Sequence, residues 1–219
     1  MAAGRFITFE GGEGSGKSTQ ARRLAERLSR LGAEVVLTRE PGGSPFAEAL
    51  RALILDPETP SHSALSEALL FYAARADHLE KTIRPALNAG RWVICDRFSD
   101  STRVYQSEAG GLPPEVLDQL EEMVVAPTTP DLTLILDLPA EQGLGRAHGR
   151  RLVAPKEAPA PDAYEKRDLA YHWKLREAFA AIAHSEPRRC VLIDATADEA
   201  AVAEAVWRAV ETRLIAEAR

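Results

Sequence analysis

The chain has 219 residues, 45% of them hydrophobic and 27% charged, with 27 Lys+Arg against 33 Asp+Glu for a formal net charge of −6. That composition excludes a disordered chain, a collagen and a disulfide-rich miniprotein, and it argues against a protein that coats nucleic acid through clustered positive charge. Cys95 and Cys190 both sit inside apolar runs and read as reduced core thiols, and no Cys/His spacing suggests zinc. No apolar stretch approaches the roughly 20 residues that span a bilayer, and the first residues enter a strand-like run with no signal-peptide core, so the expectation is a cytoplasmic protein without membrane or nucleic-acid partners.

In chain order, residues 6–9 (FITF) form a short β-favouring run bounded by glycines and read as a buried strand. Residues 18–31 put Leu24, Leu28 and Leu31 on one face and mostly charged residues on the other, an amphipathic helix closed by Gly32. Residues 35–37 (VVL) make a second strand. Strand, glycine-rich turn, helix, strand is a βαβ unit and requires a parallel sheet. Helices are expected over 46–55 and 65–88, a strand over 92–95 ending at Asp96, and a helix over 114–125. A strand over 132–136 ends at Asp137, helices follow over 140–149 and 164–184, and a strand over 190–193 precedes an alanine-rich helix over 199–218. Five strands alternating with helices predict a doubly wound α/β fold in one domain, 1–219. Residues 153–162, with Pro155, Pro159 and Pro161, cannot be regular helix and are either an idle surface loop or a flap over a site.

Residues 11–18, GGEGSGKS, fit G-x-x-x-x-G-K-[ST]. The glycines let backbone N–H groups turn inward around phosphate oxygens, Lys17 adds positive charge, the Ser18 hydroxyl suits Mg²⁺, and the following helix points its positive dipole end at the anion. Nucleoside triphosphate binding follows; the acceptor must be sought elsewhere. Asp96 and Arg97 end a buried strand on the edge where open α/β sheets bind ligands. Asp96 suits Mg²⁺ or its water, and Arg97 suits a substrate phosphate, against the alternative of a surface ion pair. Phe71 and Arg75, four apart, share a helix face; they either stack and hydrogen-bond a base or are core aromatic plus snorkelling surface charge.

Taken together, these segments resemble the thymidylate kinase family. The resemblance covers almost the whole chain and rests on FEGGEGSGKST (9–19), TREPGG (38–43), FYAAR (71–75), DRF (96–98) with Ser101, Thr102, Tyr105 and Gln106, and PDLTLILD (130–137). It implies a P-loop nucleoside monophosphate kinase fold, a five-stranded parallel sheet flanked by helices, with a lid around 146–167. It implies phosphoryl transfer from ATP to dTMP with Mg²⁺, in dTTP synthesis, by a homodimer. Gly11, Gly12, Glu13, Gly14, Ser15, Gly16, Lys17, Ser18 and Thr19 would hold ATP. Phe71 would stack on thymine, with Arg75 and Gln106 at the base edge. Arg51 and Arg97 would grip the monophosphate, with Glu40 and Pro41 lining that pocket and Ser101 and Thr102 nearby. Tyr105 would lie under the sugar and crowd a 2′-hydroxyl; Glu13, Ser18 and Asp96 would arrange the metal and its waters. A P-loop with no basic residue beyond its lysine resembles the bacterial class, which carries lid arginines. The usual lid arginine is Ala163 here; Arg146, Arg150, Arg151 and Arg167 remain nearby, of which Arg150 and Arg151, at the entrance to the proline-rich segment, are the candidate lid cations, and Ser107 replaces the glycine usual after the Tyr-Gln pair. A kinase-derived nucleotide sensor without activity is the competing reading; no Asn-Lys-x-Asp stretch of a GTP switch and no Ser-Gly-Gly transporter signature is present.

Overall fold

The computed structural model describes residues 4–153, 164 and 166–216. Five strands, β1 (Phe6–Glu10), β2 (Val35–Arg39), β3 (Trp92–Asp96), β4 (Leu132–Asp137) and β5 (Cys190–Asp194), form one all-parallel sheet in the order β2-β3-β1-β4-β5. Between them run α1 (Lys17–Arg30), α2 (Pro45–Leu55), α3 (Ala64–His78), α4 (Arg84–Asn88), α5 (Ser99–Thr102), α6 (Pro114–Val124), α7 (Ala140–Val153), α8 (Leu169–Ser185) and α9 (Glu199–Val210).

Alternation along each strand loads both faces of the sheet. Ile7, Phe9 and Ile94 pack with Leu24 and Leu28 of α1 and with Val206 and Trp207 of α9. Phe6, Val93 and Cys95 pack on the opposite face with Tyr72, Leu79 and Ile83. Helices cover both faces, as an all-parallel sheet requires. Both cysteines are buried and unpaired.

Several boundaries differ from the sequence reading. The helix expected over 65–88 is interrupted by a π-helical segment, Leu79–Ile83. Pro85 has no N–H and would meet the carbonyl four residues back, so the turn before it widens and α4 restarts with Pro85 in its first turn. The helix expected from 164 begins at Leu169, because the Asp168 carboxylate caps it by accepting from the Tyr171 N–H at 2.8 Å. Residues 99–108, given no element from sequence, are helical: α5 runs into a second π segment, Arg103–Glu108.

Candidate active site

The C-terminal ends of β1, β2 and β3 open into a cavity of about 760 Å³, within the size range of small-molecule sites. The loop between β1 and α1 forms one wall. Gly14 has a φ of 67°, and a Cβ there would stand 2.0 Å from the Gly143 carbonyl oxygen. Only glycine lets this loop lie against α7. The Lys17 ammonium is buried and donates to the carbonyls of Gly11 at 3.0 Å and Gly12 at 2.7 Å. Burial, reinforced by the Arg97 charge, pushes it down to about 8, a state that an incoming anion reverses. Ser18 donates to the Asp96 carboxylate across the end of β3. A hydroxyl and a carboxylate beside a phosphate loop are hard oxygen donors, the set that suits Mg²⁺, which completes its shell with water and phosphate oxygens.

Arg97 bridges the two halves of the cleft. Its φ of 69° is strained for a residue with a Cβ and turns the chain sharply out of β3. Its guanidinium donates to Glu13 Oε2 at 2.8 Å and to Ser101 Oγ at 3.1 Å, and lies over the Tyr105 ring. The Tyr105 hydroxyl donates to both Glu13 oxygens, at 2.8 and 2.9 Å. Burial opposes ionisation of Glu13, but Arg97, Lys17 and the Tyr105 hydroxyl outweigh it and hold the carboxyl below its usual range. Beneath them Glu10 accepts from the Phe98 N–H at 2.7 Å and from Ser101 Oγ at 2.6 Å. Burial, together with the nearby Asp100 charge, pushes this carboxyl up to about 8.

The far wall is α3. Arg75 is 1% exposed. Its Nε donates to Glu40 Oε2 at 2.8 Å and its Nη2 to Thr102 Oγ1 at 2.9 Å, between the rings of Tyr72 and Phe98. A surface arginine that snorkels is thereby ruled out. Glu40 lines the cleft, but its carboxylate is committed to Arg75 and to His78 Nδ1 at 3.0 Å. Arg51 donates to the Pro41 carbonyl at 2.6 Å. Phe71 is half-buried beside them.

Of the expected site residues, Glu13, Gly14, Gly16, Lys17, Ser18 and Thr19 line the cleft from the loop side. Glu40, Pro41, Arg51, Phe71 and Arg75 line it opposite, and Asp96, Arg97, Ser101, Thr102, Tyr105 and Gln106 form the floor. Gly11, Gly12 and Ser15 do not line it and act from behind the loop, as the Lys17 contacts show. Arg150 and Arg151 belong to the last turn of α7, and their side chains, like residues 154–163, lie outside the described residues. Sequence reasoning missed Glu10, Glu67, His78 and Tyr164. Glu67 was within reach: positions 67, 71 and 75 recur every four residues and form one stripe of α3.

A thymidylate kinase family model matches residues 9–206. A thymidylate kinase of Bradyrhizobium sp. (strain ORS 278) is 55% identical over 96% of this chain and 91% of its own length. One from Caulobacter vibrioides is 51% identical over 98% of this chain and 99% of its own. The crystal structure of thymidylate kinase from Ehrlichia chaffeensis superposes with a TM-score of 0.75 at 35% identity, covering 95% of this chain and 99% of that one. Likeness this extensive, with the phosphate loop and the α3 stripe facing one cleft, leaves one assignment: the chain belongs to the thymidylate kinase family.

Proposed function

We propose a division of labour among the cleft residues for the family's reaction, phosphoryl transfer from ATP to dTMP giving dTDP and ADP in dTTP synthesis. Lys17 and the N–H groups opening α1 hold the donor phosphates, with Ser18 and Asp96 placed to hold Mg²⁺. The metal, when bound, neutralises charge on the donor phosphates. Arg97 and Arg51 grip the acceptor phosphate. Phe71 stacks on the base, Arg75 and Gln106 meet its edge, and Tyr105 lies under the sugar. Arg97 can exchange part of its contact with Glu13 for the acceptor phosphate, a swap of one anion for another. Arg150 and Arg151 supply the lid cations within one domain, 1–219, whose lid is 146–167.

The observation that carries this reading is the single cleft lined both by Lys17 and Ser18 and by Phe71, Arg75 and Gln106. In-line transfer needs two phosphates positioned and their charge neutralised more than it needs covalent chemistry. We also assign a homodimer, which the family resemblance implies; Leu65 and Leu69 on α3 and Met123 on α6 are exposed apolar side chains on helices that pack together. No helix among the described residues is long and apolar enough to cross a membrane; the cytoplasm is our proposed compartment. The test is ADP release from ATP with and without dTMP. Release that requires dTMP supports the reading; release indifferent to dTMP, or none at all, overturns it and favours a nucleotide sensor.

A further inference from the structure

Two buried polar atoms of the cleft have no partner among the described residues: Arg75 Nη1 and Gln106 Oε1. Gln106 is 1% exposed, and a carboxamide so placed could turn either end toward a ligand, since its two orientations have nearly the same shape. Glu67 removes the choice. Its Oε2 lies 3.0 Å from Gln106 Nε2, and an ionised carboxylate only accepts, so the nitrogen must face it. Glu67 is itself held: Tyr164 donates to Oε1 at 2.8 Å, and the same Tyr164 oxygen stands 3.5 Å from Gln106 Nε2. The oxygen of Gln106 is therefore left over, in the same cleft as a leftover donor on Arg75.

We propose that Glu67 is a positioning residue for base selection, which fixes the Gln106 carboxamide so that the cleft offers an acceptor alongside the Arg75 donor. This rests on the reading of Arg75 and Gln106 as base-edge contacts. A donor and an acceptor in that pairing complement a pyrimidine with a carbonyl at position 4 and N–H at position 3. They oppose one with an amino group at 4 and a bare ring nitrogen at 3. Arg75 is a donor in any rotamer, so the polarity at position 3 depends on Gln106 alone and hence on Glu67. A buried polar group left facing its own kind is what makes such a site reject a near-isostere.

The experiment compares dTMP with 5-methyl-dCMP, which presents a bare ring nitrogen at position 3 and an amino group at position 4, on wild type, Glu67→Gln and Tyr164→Phe. Wild type should lose about ten-fold or more in kcat/KM on the analogue, the scale of one oriented hydrogen bond. Glu67→Gln supplies either a donor or an acceptor, frees Gln106, and should raise the KM for dTMP while kcat and the KM for ATP stay near wild type. In that variant the analogue's penalty should shrink, leaving the part that Arg75 imposes on the amino group. Tyr164→Phe keeps the accepting carboxylate and should keep the penalty. An undiminished penalty in folded Glu67→Gln, checked by its melting curve, overturns the proposal, as does loss of the penalty in Tyr164→Phe alone. A wild type indifferent to the analogue overturns the base-edge role of Gln106 and this proposal with it. A wild type that does not turn over dTMP overturns instead the functional reading beneath both.

Discussion

Arg75 offers the sharpest test of the cleft's electrostatics, because it is both a buried ion-pair partner and a base-edge donor. In Arg75→Met most of the stem volume remains, so the dominant loss is charge. Glu40, only 4% exposed along its side chain, keeps His78 but loses its guanidinium, and Thr102 loses a donor. Breaking one side of a buried pair costs about 3–5 kcal/mol, most of it for the carboxylate left behind. For a chain of this size each kcal/mol moves Tm by about 2–4 °C, so the single variant should melt on the order of 6–20 °C lower. Adding Glu40→Gln removes the stranded charge and still accepts from His78 Nδ1. The double variant should therefore recover more than half of the loss, a strong coupling between neighbours. Melting by circular dichroism reads stability, and the KM for dTMP reads the base contact, which both variants lack. A double variant whose loss equals the sum of the two single losses refutes the reasoning.

Lys17→Ala should fold and bind dTMP yet lose orders of magnitude in kcat, since the ammonium meets charge that develops on the moving phosphoryl group; near-normal kcat would refute the phosphate-loop assignment. Trimming Tyr105 to Leu should raise relative activity on the ribose monophosphate; if base preference moves and sugar preference does not, the pocket is oriented the other way. Glu10 predicts a pH signature. Its folded value of about 8 stands above the usual 4.5, so between these the folded chain holds a proton that the unfolded chain has released. Stability from this group then falls as pH rises, by at most about 1.4 kcal/mol per unit, and levels off above 8. Lys17, depressed to about 8, acts oppositely and only above that pH. Urea unfolding at several pH values between 5 and 8 should show the decline flattened in Glu10→Gln; an unchanged slope removes Glu10 as its source.

The fold was legible because each strand is a short apolar run stopped by glycine, proline or a charged end, and because the glycine-rich turn fixes βαβ connectivity. All five strands appear where the runs place them. Helix ends were less legible. Tyr164 continues an apolar helical pattern, but Asp168 offers a cap, and capping decides where the helix starts. Pro85 signals a break, yet sequence alone does not say whether the chain kinks, stops or widens into a π turn.

In the site, the donor half was legible since the phosphate loop is a local motif. The acceptor half draws on α3, β2 and α5, and its partnerships join positions 27 to 97 residues apart. Arg75 shows the difficulty: one face of α3 told us what it neighbours along the helix, but not that Glu40 and Thr102 would bury it. Gly43 likewise serves a contact distant in sequence. A Cβ there would stand 2.2 Å from His78 Nε2 and 2.5 Å from Thr38 Oγ1, so the second glycine of the turn makes room for the histidine that braces Glu40.

A kinase cleft must move a phosphoryl group from one nucleotide to another without surrendering it to water. The direct measurement follows the label from γ-³²P-ATP after incubation with dTMP. The label should appear in the β-phosphate of dTDP, with little in free phosphate, and omitting dTMP should nearly abolish ATP consumption. Label released mainly as inorganic phosphate, at a rate independent of dTMP, would contradict it.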